Sequence, residues 1–234
     1  MSEQYHFQDI RVAEPPEPTA ESRLRREMGQ ELKRLNEQLI RLDAPMDELE
    51  SVRARLAELN EELETRDKRD YPQMLQRLLT GEGSRQDVLD VLDFEILTGR
   101  ATAVNTPLEL WLDGDRVRAR GWYGLTYQGP PGRVHGGVLS LTLDMVMAKC
   151  QDFFTMKGFT GTLNVRYLDA TPLESDIDFE ARVTRVEGRK LFVAAKVFAG
   201  ERQTVAADGI WICAQGDYIV RDEFAAMFTD EGIA

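Results

Sequence analysis

Two cysteines among 234 residues leave little room for disulfide or thiolate–metal architecture. Cys150 and Cys213 both sit in apolar stretches, so they are read as buried free thiols of a reducing compartment rather than as a bridge. Histidine is as scarce: there are two, and only His135 lies outside the N-terminal tail. One imidazole, with no cysteine or carboxylate at ligand spacing, gives no reason to invoke a metal. No stretch approaches the roughly 18 apolar residues of a membrane helix. The opening MSEQYHFQDI lacks the apolar core of a secretory leader, so the expectation is a cytoplasmic chain with no membrane association. Positive charge is also short: 29 Lys and Arg stand against 41 Asp and Glu, a net charge of −12. That balance argues against nonspecific nucleic-acid or anionic-membrane binding, while leaving room for a local basic patch facing the phosphates of a small ligand.

What is present divides along the chain. Residues 1–19 contain EPPEPT and little hydrophobic periodicity, and read as a flexible tail. From Leu24 to Leu63 apolar residues recur at spacings of mostly three and four, the stripe of an amphipathic or coiled-coil helix. Pro45 interrupts it, so two helices are expected, at about 20–42 and 44–68, followed by a third from Tyr71 to Thr80 that ends at Gly81. The helical N-terminal region thus spans 20–82. The pattern then changes. A short helix at 84–92 precedes a hairpin, Leu108–Leu112 with Arg116–Tyr127, turning at Asp113-Gly114-Asp115. An apolar helix at about 137–154 follows, then strands near 160–169, 176–187, 190–199 and 203–215. One long helix with a mainly antiparallel sheet is an α+β layer architecture over 83–220, with a C-terminal tail at 221–234.

The helix carries the most informative residues. Between Val138 and Ala148 only Ser140, Thr142 and Asp144 break an apolar run, and a helix hydrophobic all round belongs inside a protein. A carboxylate there is costly unless it is paired or used. Just ahead stand His135, Gly136 and Gly137, whose glycines let helix-start N–H groups face a ligand without side-chain obstruction. Gly137 and Asp144 are two turns apart on one helix face, roughly 10 Å along the axis. That is too far for both to touch one carbonyl carbon, since catalytic contacts need about 3 Å. Either they do different jobs, or two copies of the helix meet and each site takes one end from each, which requires a homodimer.

GPPGRVHGG, an Asp nine residues after the His, TGTLNVRYLDATPLE and VTRVEGRKLFVAAKVFAG together resemble the hotdog-fold acyl-CoA thioesterases of the phenylacetate (PaaI) type. The resemblance spans roughly Ile96 to Asp217 and omits the helical N-terminal region. It implies a hotdog fold, an antiparallel sheet wrapped around a central helix, and hydrolysis of acyl-CoA to free acid and CoA. Coenzyme A would belong to the substrate, with no other cofactor. It implies that Asp144 activates water or attacks the acyl carbon, and that the Gly137 amide, with the helix dipole behind it, holds the thioester oxygen. Gly136 fits a small loop-to-helix junction beside the substrate. His135 would fix the loop or the thioester. Thr160 falls where relatives place a Ser or Thr that orients water or the carboxylate. Arg166, Arg189 and Lys190 are candidates for the phosphates of CoA, against the alternative of a solvated hairpin turn. In one departure, some relatives carry an Asn six residues before the His, where this chain has Gly129. Two other functions fit the same fold: a non-catalytic acyl-CoA-binding or scaffold protein, and enoyl-thioester hydration or dehydration. The second favours a His with a Glu, and this helix has Asp and no Glu. Homodimer or dimer of dimers is the expected assembly.

Overall fold

The computed structural model describes residues 16–106 and 108–228. The expected tails therefore fall partly outside the described residues, at 1–15 and 229–234. Compactness divides the chain between Leu92 and Asp93.

The first unit is helical. Helix α1, Ala20–Arg41, starts at Thr19, whose hydroxyl accepts from the Ser22 N–H at 3.0 Å. Helix α2, Met46–Glu64, follows directly on Pro45. Helix α3, Tyr71–Thr80, is capped by Asp70, takes Pro72 in its first turn, and stops at Gly81 with φ of 78°. Helix α4 is Arg85–Asp93. The apolar stripe is present, yet α1 buries only Ser22 and Gly29, and α2 buries nothing. Leu24, Met28, Leu32, Leu49, Leu59 and Leu63 are all exposed.

The second unit is a six-stranded antiparallel sheet of order β1-β2-β4-β5-β6-β3 with one central helix. Its strands are β1 Leu108–Asp113, β2 Arg116–Trp122, β3 Phe159–Tyr167, β4 Asp176–Glu187, β5 Lys190–Ala199 and β6 Arg202–Ile212. The hairpins turn through Gly114, Gly188 and Gly200, each with φ between 53° and 60°. Alternate residues such as Ile177, Phe179, Leu191, Val193, Val205 and Trp211 point inward and join Leu139, Leu143, Val146 and Met147 of helix α5, Gly136–Ala148, in one core. Cys150 and Cys213 are free and buried in it, and burial pushes the Cys150 thiol up.

Three expectations are corrected. The second strand of the first hairpin ends at Trp122, where its pairing with β4 stops at Asp176, and 125–127 form a 3₁₀ turn. The central helix ends at Ala148 and tightens into a 3₁₀ turn over Lys149–Phe153. Nor is that helix buried all round: Gly137 and Leu141 are exposed and Asp144 is half-buried. Its open side lies toward β3, an edge strand that is almost wholly exposed in one chain.

One irregularity matters for the site. The β3–β6 register shifts between Thr160 and Thr162, so Gly161 is a bulge. Strict alternation would put Thr160 and Tyr167 on opposite faces of β3. With the bulge, both reach helix α5.

Candidate functional site

The loop before α5 is a small hairpin that delivers His135. Gln128 bridges Val134, the Gly129 N–H donates to Arg133 O at 2.9 Å, and the His135 N–H donates to Tyr127 O at 2.9 Å. A Cβ on Gly129 would stand 2.8 Å from His135 Cα. Any side chain there would displace the loop, so a carbonyl-binding Asn at this position has no room.

His135 is the N-cap of α5, and its Nδ1 accepts from the Gly137 N–H at 3.0 Å. The imidazole is therefore held as the tautomer with its proton on Nε2. This alters the expected picture of Gly137: its amide points outward at the helix start, but His135 occupies it. The Gly136 N–H is the first-turn amide with no acceptor among the described residues. The glycines themselves are explained by two neighbours. A Cβ on Gly137 would sit 3.1 Å from His135 Nδ1, and one on Gly136 would sit 3.1 Å from the Tyr167 ring.

Two turns along, Asp144 Oδ1 accepts from the Thr160 hydroxyl at 2.7 Å. The hydrogen bond joins the carboxylate on α5 to the edge strand and leaves Oδ2 without a partner among the described residues. The sequence alone assigns no site role to Tyr167 or Ser140. The Tyr167 hydroxyl donates to Gly136 O at 2.8 Å and lies 2.6 Å from Ser140 Oγ. Ser140 was visible as a break in the apolar run, four residues from Gly136, but nothing in the spacing pointed to Tyr167.

The candidate phosphate ligands are not brought together in one chain. Arg189 and Lys190 lie at the β4–β5 turn, in the row where Lys190 faces Ile212 and Ile212 faces Phe159. Arg166 is seven residues further along β3, roughly 23 Å at about 3.3 Å per residue. Arg166 is also engaged: it pairs with Asp208 at 2.9 Å, beside Asn164 on the same carboxylate. Arg189 donates through Nε to Cys213 O at 2.7 Å. Lys190 is exposed and has no ion pair among the described residues. The site thus has two ends. His135, Gly136, Gly137, Tyr167 and Arg166 form one; Asp144, Thr160, Arg189 and Lys190 form the other. No group of three or more His, Cys, Asp or Glu side chains that could hold a metal occurs among the described residues. No helix among them is long and apolar enough to cross a membrane.

Comparison with known proteins bears on the fold and the family. Residues 131–206, which contain α5, β3, β4 and β5, match the sequence model of the thioesterase superfamily. The rat acyl-coenzyme A thioesterase THEM4 is 34% identical over 82 residues, 35% of this chain and 35% of that protein. Human acyl-coenzyme A thioesterase THEM5 is 32% identical over 85 residues, 36% of this chain and 34% of that protein. The chain therefore matches about a third of the length of these relatives. A thioesterase superfamily protein of known crystal structure superposes with a TM-score of 0.63 and 28% identity, covering 86% of this chain and 94% of that one. The sheet and its central helix are a hotdog fold, and residues 131–206 are a thioesterase-superfamily domain.

Proposed function

We propose that this chain, built on a hotdog thioesterase domain, is an acyl-CoA thioesterase of the phenylacetate type, hydrolysing acyl-CoA to free acid and CoA. One observation carries the reading: a helix-borne carboxylate, Asp144, held by Thr160 at 2.7 Å with its second oxygen open, within a thioesterase-superfamily sequence. Asp144 Oδ2 takes a proton from water as the water attacks the thioester carbon, and the thiolate of CoA leaves. The carbonyl oxygen, gaining negative charge, accepts from the Gly137 N–H in place of His135 Nδ1. His135 holds that amide in position until substrate arrives. One such donor contributes about 3–4 kcal/mol to lowering a barrier of this kind. Asp144 suits hydrolysis over hydration of enoyl thioesters, because α5 carries no Glu to pair with His135.

The working unit is a homodimer. Within one chain the amide end and the carboxylate end of α5 are about 10 Å apart, too far to serve one carbonyl. Strand β3 offers an unpaired edge beside both ends. If two such edges pair antiparallel about Leu163, Thr160 of one chain meets Arg166 of the partner subunit. That pairing sets Asp144 against the other copy's helix start. It also gathers Arg189 and Lys190 of one chain with Arg166 of the partner subunit around the CoA phosphates.

Release of free thiol from acyl-CoAs, run from acetyl to palmitoyl and across aromatic acyl groups, tests the proposal. Turnover of at least one series is expected. Tight binding of acyl-CoA with no turnover of any would replace hydrolysis by a binding or scaffold role.

A further inference from the structure

The Gly136 carbonyl that Tyr167 grips belongs to the same peptide unit as the Gly137 N–H. The two atoms lie on opposite edges of one plane, because the amide is planar and trans. Whatever fixes the oxygen therefore fixes the direction of the N–H. Tyr167 does so from outside the helix, from the last residue of β3, with its hydroxyl 2.8 Å from Gly136 O. Its single O–H proton is used there, so the 2.6 Å contact with Ser140 is a bond in which the Ser140 hydroxyl donates to the Tyr167 oxygen. The chain Ser140 → Tyr167 → Gly136 C=O polarises the peptide and makes its N–H a stronger donor. The packing is as specific as the hydrogen bonding. A methyl group on Gly136 would meet the Tyr167 ring at 3.1 Å at Cζ and 3.2 Å at Cε1. The first glycine of the His135-Gly136-Gly137 run is thus matched to Tyr167, and the second to His135.

We propose that Tyr167 is a positioning residue for thioester hydrolysis: its hydroxyl aims and polarises the Gly137 amide through the carbonyl on the other side of the same peptide. This rests on the thioesterase reading above. Ser140 sets the proton direction of Tyr167, and Gly136 makes room for it.

The test compares the 234-residue wild-type chain with Tyr167→Phe, which keeps the ring and loses the hydroxyl, and with Ser140→Ala. Three quantities are measured: kcat and KM on an acyl-CoA the wild type turns over, the melting temperature, and the amide ¹H–¹⁵N chemical shift of Gly137. For Tyr167→Phe, kcat is expected to fall about tenfold, the size of one lost hydrogen bond to a polar group, with KM within about twofold and an upfield shift of the Gly137 amide proton. Ser140→Ala should give a smaller change in the same direction and add little in the double variant. A lower melting temperature with unchanged kcat and an unchanged Gly137 shift would make Tyr167 merely structural and overturn the proposal. If Tyr167→Phe does not fold, Ser140→Ala, which leaves the ring in place, decides on the same readouts. If the wild type hydrolyses no acyl-CoA, the thioesterase reading fails alone, and the Gly137 shift still decides whether Tyr167 controls that amide.

Discussion

Thr160 donates its hydroxyl proton to Asp144 Oδ1 across 2.7 Å, tying the edge strand to the middle of the central helix. The bond occupies one carboxylate oxygen and thereby fixes the orientation of the other. It depends on the bulge at Gly161, which turns Thr160 toward the helix.

Asp144→Asn keeps the shape and removes the base. Turnover is expected to fall about 10²–10⁴-fold, the usual worth of positioned acid–base chemistry, with the melting temperature little changed. Thr160→Val should cost about tenfold, one hydrogen bond to a charged group. Wild-type turnover in a folded Asp144→Asn protein would remove Asp144 from the mechanism.

Subunit mixing tests the shared site. Asp144→Asn chains are dead at one end of α5. Chains with a bulky residue at Gly137 are dead at the other, because even a Cβ there lies 3.1 Å from His135 Nδ1. Co-refolded heterodimers should regain activity, since one of their two sites takes both intact ends. Verified exchange with no recovered turnover would mean that each chain works alone.

The helix and strand periods made the fold legible, because period 3.6 and period 2 survive in any packed α+β layer. Asp144, His135 and both glycines stood out as candidates because a charge interrupts an apolar run and a histidine with two glycines stands just ahead of it. The open face of α5 was not: it reads as apolar, and only the position of the β3 edge shows that one chain leaves it uncovered. The engagement of Gly137 by His135 was hidden too, since a histidine cap leaves no periodic trace. Tyr167 was out of reach for a geometric reason. It is 31 residues from the carbonyl it holds, and the bulge at Gly161 breaks the alternation that would place it.

His135→Ala removes the side-chain acceptor from the Gly137 N–H. Loss of an N-cap costs about 1 kcal/mol, so the melting temperature should drop. Turnover should stay within about tenfold of wild type, because the thioester oxygen replaces Nδ1 at that donor. A loss as large as that of Asp144→Asn would instead give the imidazole a direct chemical step.

Acid stability reports on Asp152. Burial would raise its carboxyl pKa, but Lys149 at 2.5 Å and Lys157 at 2.7 Å outweigh it and hold the value below the usual carboxylate range. A depressed folded-state pKa stabilises the fold above the unfolded value of about 3.9, and that contribution disappears as pH falls through the folded value. Asp152→Asn should therefore lower the melting temperature at pH 7, and its deficit against wild type should shrink below about pH 4. A deficit independent of pH would assign the effect to packing.

The N-terminal helices should shape assembly rather than chemistry. Helix α2 buries none of its residues, and Leu35, Leu39 and Leu42 of the α1 segment face Val52, Leu56 and Leu59 of α2 across an open cavity of about 380 Å³. Most of a helix's stability in a protein comes from covering its apolar face, so these two call for a partner surface. Neither helix buries an acid, a base or a cysteine among its described residues; the one buried hydroxyl is Ser22, in the first turn of α1. A chain beginning at residue 69, which keeps α3 with its buried Met74 and Leu78, should turn over a short acyl-CoA within about tenfold of wild type while its assembled mass or solubility changes. Turnover and light scattering belong on the same preparation. A truncated protein that remains folded and dimeric but binds no acyl-CoA would place α1 and α2 in the substrate site.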